Sequence, residues 1–315
     1  MGNFFRHRGE LDRAIRIHQN LVTRDELQGT PRENALAELG RDYMLAGFLE
    51  RAENAFIKLL DSDKHRSQAQ EYLFEIYQTT KEWDKAIELA QNMLEIQSEN
   101  ELVRTQLAHF YCEMANQYTK LSEFSEAYPY LRKAVDVDKT AVRPWLMLGR
   151  VYIEQEQYRE AVTALNEVPG RDMSWFSEAV PLLEQCAKAL SDDEVLRQSI
   201  EPHWDVCATS YLAKVTLLAK EVGDEAASET LLKQLQKRPT MRGFNTLLGL
   251  FVERQQDNNV KESLNLLQQL VSEQIKARPK YRCTRCGFSG RQVYWLCPSC
   301  KHWSVVKPIK GLDGE

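Results

Sequence analysis

Alanine recurs along the first 161 residues at a nearly constant spacing, and this limits the folds open to the chain. The positions are Ala14, Ala52, Ala86, Ala127 and Ala161, separated by 38, 34, 41 and 34 residues. A period of about 34 residues is typical of the tetratricopeptide repeat, in which small residues let two antiparallel helices approach closely. The sequence therefore predicts an all-α, superhelical solenoid of such helix pairs.

The clearest unit covers residues 143–172, with Trp145, Leu148, Gly149, Tyr152, Tyr158, Ala161, Leu165 and Val168 at repeat spacings. Beyond it the frame weakens, with one further unit around Ala227 and another around Ser263. The 66 residues between Ala161 and Ala227 leave room for one degenerate unit. We expect a solenoid of about seven or eight units over residues 1–275, the later ones degenerate.

The first unit is incomplete, because only residues 1–7 precede the turn at Gly9 and the helix that carries Ala14. A solenoid normally ends in a polar cap rather than in half a repeat. We therefore expect the natural protein to continue upstream. An ordinary helical bundle is the alternative for these helices, but recurrence over five units disfavours it, and Tyr43, Tyr77 and Tyr152 are expected in the core.

Four cysteines near the end follow the pattern C-x2-C-x10-C-x2-C: Cys283, Cys286, Cys297 and Cys300. Two such turns can bring four thiolates to one point, in the tetrahedral shell that zinc or a single iron accepts. The segment is too short to bury an ordinary core, so metal and aromatic residues must order it together. The sequence predicts a rubredoxin-like or zinc-ribbon-like module over residues 279–315.

Three interpretations of the four cysteines remain open: a closed structural metal site, a redox-active iron site, and a pair of disulfides. Gly287, after the second cysteine, suits a turn that needs positive φ. The remaining cysteines are Cys112, Cys186 and Cys207, which we expect to be small buried side chains. An odd total of seven favours a reducing compartment.

The charge is mild overall, at -5, but uneven. From residue 271 onward nine Lys/Arg stand against three Asp/Glu, so a module of +6 follows a body of -11. Neither a signal peptide nor an apolar run near the roughly 20 residues of a membrane helix is present, so we expect this chain to be soluble and cytoplasmic. No P-loop, dinucleotide fingerprint or hydrolase motif occurs, which argues against an enzyme.

Several segments closely resemble the lipopolysaccharide assembly protein B family, over essentially the whole chain. They are GELDRAIRIHQ at 9–19, LGRDYM at 39–44, AHFYCE at 108–113, and the tail at 278–314. The resemblance implies a single-pass inner-membrane protein with an N-terminal membrane helix, further upstream repeats and a C-terminal rubredoxin-like domain, all facing the cytoplasm. It carries the metal ligands over to the four module cysteines, usually with iron, and leaves zinc open.

The same resemblance implies a non-catalytic adaptor that restrains lipid A synthesis. Its expected partners are the protease FtsH, the UDP-acyl-N-acetylglucosamine deacetylase that FtsH degrades, and other lipopolysaccharide synthesis or transport proteins. It leaves the oligomeric state open, a dimer included.

A repeat solenoid offers a groove lined by first-helix positions, and six polar residues at such positions are candidate partner contacts. They are Asn34, Arg41, His109, Asn116, Arg143 and Arg150. The alternative function is nucleic-acid binding by the basic module, whose cations and aromatic residues would suit phosphates and bases. The acidic body would repel the same phosphates.

Overall fold

The computed structural model describes residues 1–312 and 314, so Asp313 and Glu315 of the predicted module lie outside the described residues. In the described part, helices α1 to α17 are, in order, Gly2–His7, Leu11–Val22, Thr30–Leu45, Leu49–Ile57, Arg66–Thr80, Trp83–Ile96, Glu101–Lys120, Phe124–Val137, Arg143–Glu154, Tyr158–Leu165, Val168–Arg171, Phe176–Leu190, Asp193–Ile200, Ala208–Val222, Asp224–Lys237, Met241–Arg254 and Asn258–Ala277. None of these helices is long and apolar enough to cross a bilayer.

The chain divides into two compact units, Met1–Val103 and Arg104–Glu315. Within each unit, consecutive helices pack against one another in pairs. The alanines that define the period are fully buried where two helices approach, at 0% exposure: Ala14, Ala52, Ala86, Ala127, Ala161 and Ala227. This confirms the predicted fold, in which repeated helix pairs are followed by a small C-terminal domain of a metal-binding type.

Five successive turns between paired helices share one backbone geometry. The residue two positions before each second helix lies in the left-handed region: Gly9, Gly47, Lys81, Ser122 and Glu156, with φ between 59° and 78°. The next residue's N–H then donates to a carbonyl five positions back, as Phe48 does to Tyr43 at 2.9 Å and Gln157 to Tyr152 at 2.8 Å. This is the Schellman arrangement that ends a helix. The prediction of a turn at Gly9 is confirmed.

The C-terminal module contains three short strands: β1 at Tyr281–Cys283, β2 at Ser289–Gly290 and β3 at Val306–Pro308. They form an antiparallel sheet in the order β2-β1-β3, with Tyr281 opposite both Gly290 and Pro308. Four buried module residues, Tyr281, Cys283, Cys297 and Val306, belong to the same hydrophobic cluster as residues of α9, α10, α12, α13 and α14. The module and these helices therefore share one core.

In the repeat 143–172, the close approach of Gly149 to Leu165 allows a prediction about stability. A Cβ at Gly149 would lie 2.7 Å from Leu165 Cγ, and Leu165 is fully buried, so it has little room to move. We expect Gly149→Ala to lower the free energy of unfolding by about 1–2 kcal/mol, because overpacking outweighs alanine's gain of about 1 kcal/mol in a helix. Urea unfolding measures the change.

The matched control is Gly170→Ala in α11, where an added Cβ meets nothing within 4 Å. That variant should be neutral or slightly more stable. An equal gain in stability for both variants would contradict the close-packing argument.

Candidate metal centre

The first cysteine turn is shaped by backbone hydrogen bonds directly after β1. The amide of Cys283 donates to Phe288 O at 2.7 Å, and the amide of Gly287 donates to Cys283 O at 3.1 Å. Gly287 has φ of 78°, as the sequence predicted. The turn also aims the Cys286 amide at Cys283 Sγ, 3.4 Å away, where it stabilises a thiolate.

The second turn repeats this geometry without glycine. The amide of Cys297 donates to His302 O at 2.9 Å, and the amide of Lys301 donates to Cys297 O at 2.9 Å. Lys301 thus takes the place of Gly287, with φ of 55°. Sequence reasoning missed this residue, because lysine does not signal a left-handed turn. His302 is exposed beside the turn.

The two turns bring all four sulfur atoms within 4.8 Å of one another. The Sγ atoms of Cys283 and Cys300 lie 3.7 Å apart, as do those of Cys286 and Cys297. A tetrahedral ion with sulfur ligands at about 2.3 Å requires sulfur separations of about 3.8 Å. The donor set and its spacing therefore fit a tetrathiolate metal, either zinc or iron.

The alternative of two disulfides does not match this geometry. A disulfide requires sulfur atoms about 2.05 Å apart, well below the observed 3.7 Å. All seven cysteines in the described chain are free thiols. Cys112, Cys186 and Cys207 are buried away from the cluster, as predicted for small core side chains.

The cysteine ligands differ in their surroundings. Cys283 and Cys297 are buried, whereas Cys286 is exposed. A hydrogen bond from the backbone of Phe288 is the main cause that lowers the pKa of Cys286 to about 6. Loss of solvent contact and hydrogen bonding with Cys297 raise the pKa of Cys300 to about 12. A metal must therefore displace protons from this site, which makes its affinity depend on pH.

Aromatic stacking docks the module on helices of its own unit. Trp295 stacks on Trp175 with ring centroids 4.4 Å apart and planes inclined by 22°. Trp303 stacks on His109 at 4.5 Å and 15°, and meets Phe110 edge-on at 6.1 Å. Trp175 is only 1% exposed, so its ring is covered by this contact. Stacked rings at these distances contribute more stability than the burial of their apolar area alone would give.

Ion pairs surround the stacked rings. Glu178 Oε1 accepts hydrogen bonds from Lys280 Nζ and from Tyr281 Oη, both at 2.6 Å. Lys307 Nζ donates to Asp172 Oδ2 at 2.5 Å. Burial raises the pKa of Asp172, but hydrogen bonds from Lys307 and Ser174 outweigh it, so this pKa lies below its usual value. The docking thus uses part of the basic charge that the nucleic-acid alternative requires.

Two of the six candidate partner residues lie beneath the module. His109 and Arg143 are 3% and 4% exposed. His109 Nε2 is 2.7 Å from Ser304 Oγ, and Arg143 Nη2 donates to Glu113 at 2.7 Å. The Arg143 guanidinium also lies 5.6 Å from the Trp295 ring centre. In this structure both residues contact the module rather than solvent.

Two other candidates, Asn116 and Arg150, line one cavity of about 290 Å³ between α7, α8 and α9. Its remaining lining residues are Thr119, Ser122, Phe124, Met147, Val151 and Glu154. Asn34 and Arg41 belong to the other compact unit. Asn34 Oδ1 accepts from Lys64 and lies 2.8 Å from His65 Nε2, and Arg41 pairs with Glu38 at 3.2 Å.

Known proteins match both parts of the chain. The rubredoxin metal binding domain family matches residues 281–308, and the tetratricopeptide repeat family matches residues 118–186. Lipopolysaccharide assembly protein B of Escherichia coli K12 is 39% identical over all of this chain and 81% of its own length. The Haemophilus influenzae protein of the same name is 34% identical, over 99% of this chain and 79% of its own. A tetratricopeptide repeat protein from Parabacteroides merdae is 16% identical, covering 86% of this chain and 96% of its own, with a TM-score of 0.36.

Loss of one buried sulfur should empty the candidate metal centre. We expect Cys283→Ser or Cys297→Ser to lower bound metal from about one equivalent to near zero and to unfold the module, because metal binding there supplies folding free energy. Elemental analysis of protein purified without added metal gives both content and identity, and an iron tetrathiolate is coloured while zinc is not.

Cys207→Ser is the control, since Cys207 caps α14 outside the cluster and serine is a good helix cap. It should keep the full metal content. Metal retained in a double Cys283/Cys297 variant would contradict the site.

The buried His109 should make stability depend on pH. Burial, and then the charges of Arg143 and Lys307, hold its pKa well below 6.5 in the folded chain. Below about pH 6.5 His109 is protonated in the unfolded chain but stays neutral in the folded chain. The free energy of unfolding therefore falls by up to about 1.4 kcal/mol per pH unit as the pH is lowered, until the pKa of folded His109 is reached. His109→Gln should remove this part of the slope.

Urea midpoints followed by tryptophan emission between pH 7.5 and about pH 5 measure the slope, with exposed His7→Gln as control. Identical pH profiles for the wild type and His109→Gln would show that His109 does not contribute.

Proposed function

The chain belongs to the lipopolysaccharide assembly protein B family, and we propose that it acts there as a non-catalytic adaptor that presents the lipid A deacetylase to the protease FtsH. The observation that carries the proposal is the relationship over the whole chain, helix pairs and metal module alike. Tetratricopeptide repeats typically hold segments of other proteins, and adaptors of this kind need no catalytic group.

The cavity that contains Asn116 and Arg150 supports a role in protein binding. Phe124, Met147 and Val151 contribute apolar side chains to its lining, and Arg150 contributes an exposed cation. An apolar side chain next to an acidic one on a partner would complement this combination. We propose this cavity as one partner contact, with Asn34 and Arg41 as contacts on the other unit.

The metal module has a structural role in this proposal. Cys283, Cys286, Cys297 and Cys300 hold one iron or zinc ion, and the closed set of four sulfurs leaves no position for substrate. His109 and Arg143 then act from inside the docking contact, where they position Trp303 and Trp295. Other lipopolysaccharide synthesis or transport proteins are further proposed partners.

The proposed place of action is the cytoplasmic face of the inner membrane. An adaptor raises the effective concentration of a substrate near a protease only when its geometry lets it engage both partners together. Because FtsH is a membrane protease, confinement of the adaptor to the same bilayer plane should strengthen the effect.

The adaptor proposal is tested in cells that lack the full-length protein. One set of cells receives this chain fused to a membrane-spanning helix, and another receives the chain alone, with deacetylase abundance followed by immunoblot after synthesis is stopped. We expect rapid deacetylase loss with the anchored chain and little change with the free chain. Normal turnover with the free chain would contradict the anchoring argument, and no change with either would contradict the adaptor assignment.

Arg150→Glu in the anchored chain tests the partner cavity separately. Reversal of this charge should slow deacetylase loss several-fold, because like charges across an interface cost several kcal/mol. Arg159→Glu is the matched control, since Arg159 is also exposed but lies on the second helix of the same pair and does not line the cavity. Equal effects of the two reversals would exclude a specific role for Arg150.

A further inference from the structure

A polar cavity of about 280 Å³ lies where the module meets the helices of its own unit. Four segments line it: the first half of α7, the turn into α9, the segment from α11 to Trp175, and the module. Three of the lining residues are permanent cations, Arg143, Arg171 and Lys307. This cavity is separate from the four cysteines and from the cavity that contains Arg150.

The acceptors around the cavity are already occupied. Asp138 is buried and accepts from Thr105 Oγ1 at 3.0 Å and from the Thr140 amide and hydroxyl at 2.9 and 2.6 Å. Asp172 accepts from the Ser174 amide and hydroxyl through one oxygen and from Lys307 through the other. Both carboxylates are therefore engaged within the protein.

The donors, in contrast, exceed the available acceptors. The Nε atoms of Arg143 and Arg171 are buried and have no hydrogen-bond partner among the described residues. Among the described residues, Arg143 Nη2 pairs with Glu113 and its Nη1 lies 3.5 Å from His109 Nδ1. Arg171 pairs with Glu167 through Nη1, and Lys307 Nζ uses one of its three protons on Asp172. Buried donors without acceptors are costly, so a bound group that supplies oxygen acceptors would stabilise the site.

The charge around His109 is consistent with such a group. After burial, the positive charges of Arg143 and Lys307 are the causes that lower the pKa of His109. These cations therefore create a positive potential at the cavity wall even with their carboxylate partners in place. His109 directs Nε2 at Ser304 Oγ and Nδ1 at Arg143 Nη1, so both of its ring nitrogens face groups of the protein.

We propose that this cavity binds a small oxyanion, the phosphate group of a phosphate monoester, between Arg143, Arg171 and Lys307. Guanidinium groups bind phosphate oxygens through paired, charge-assisted hydrogen bonds, and a lysine adds a point charge. The volume lies just below the range of about 300–1,000 Å³ that is typical of small-molecule sites, which suits phosphate with at most a small substituent.

A ligand at this position would link the module to the helices. Lys307 comes from β3 of the module, whereas Arg143 and Arg171 come from α9 and α11. Bound phosphate therefore stabilises the docked arrangement and should slow the loss of metal to a chelator. This effect is independent of the adaptor proposal, since it depends on neither FtsH nor the deacetylase.

The test is titration of the full, metal-loaded chain with inorganic phosphate and with glucose 6-phosphate, by calorimetry and tryptophan emission. Trp175 and Trp295 line the cavity, so binding should change their emission. We expect saturable binding that Arg171→Gln weakens about 10- to 100-fold, the range for a lost hydrogen bond to a charged group. Arg171→Gln leaves the Lys307 to Asp172 pair intact, so docking is preserved.

Lys307→Gln is a second variant and should weaken binding by a similar factor. Lys310→Gln, at an exposed module position outside this cavity and away from the cysteine turns, is the control and should bind as the wild type does. Equal affinity for both probes would identify the bare oxyanion as the ligand, and tighter binding of the sugar phosphate would identify a monoester. Either result supports the site.

Three results would overturn the proposal. The first is the absence of saturable binding up to about 10 mM of either probe. The second is equal binding by wild type, Arg171→Gln and Lys307→Gln. The third is equal weakening by Lys310→Gln, which would indicate unspecific charge attraction. Metal release to a chelator at a rate unaffected by phosphate would likewise contradict the link between module and helices.

Discussion

The stack of Trp295 on Trp175 is the contact on which the C-terminal half of the molecule depends. A module of roughly 35 residues cannot bury enough apolar surface to order itself. Its buried residues Tyr281, Cys283, Cys297 and Val306 instead join a hydrophobic cluster with the helices. The two indole rings, 4.4 Å apart, lie where the module and the helices meet. Glu178 and Asp172 of the helical part pair with Lys280 and Lys307 of the module, which adds two ionic links to the same contact.

The contact between the module and the helices also explains why Arg143 and His109 can be buried there. Arg143 lies 5.6 Å and 5.9 Å from the ring centres of Trp295 and Trp303, and pairs with Glu113. Aromatic faces and a carboxylate together compensate for much of the desolvation of a guanidinium. His109 remains neutral, so it adds a flat ring to the stack without adding charge.

The features that sequence predicted are those with a local or periodic signature. Ala14 and its equivalents recur because one helix crossing recurs, and the cysteine spacing reflects two short turns that close on themselves. The docking of the module on the helices has no such local or periodic signature in the sequence. His109 and Arg143 occupy first-helix positions that repeats normally turn toward a groove, and nothing in a 34-residue period shows that another part of the chain covers them.

One sequence signal did exist. Beyond the unit 143–172 the repeat frame lapses, and at the end of this unit the chain forms the short helix α11 and a 3-10 turn that present Asp172 and Trp175 to the module. The lapse could have indicated a special surface, though not its occupant. Likewise, Lys81 and Lys301 adopt left-handed turns without glycine, because the hydrogen bonds around them outweigh the small local strain.

The docking contacts also change how the chain must fold. Contacts in a repeat protein are mostly between neighbours in sequence, so folding can propagate from one unit to the next. The bond from His109 to Ser304 joins residues 195 positions apart, and that from Asp172 to Lys307 joins residues 135 apart. Contacts between residues so far apart in sequence form slowly, because a long loop of chain must be closed first. During synthesis, His109 and Trp175 therefore remain uncovered until the module has left the ribosome. In this period the helices α7 to α12 are exposed to aggregation or to chaperones.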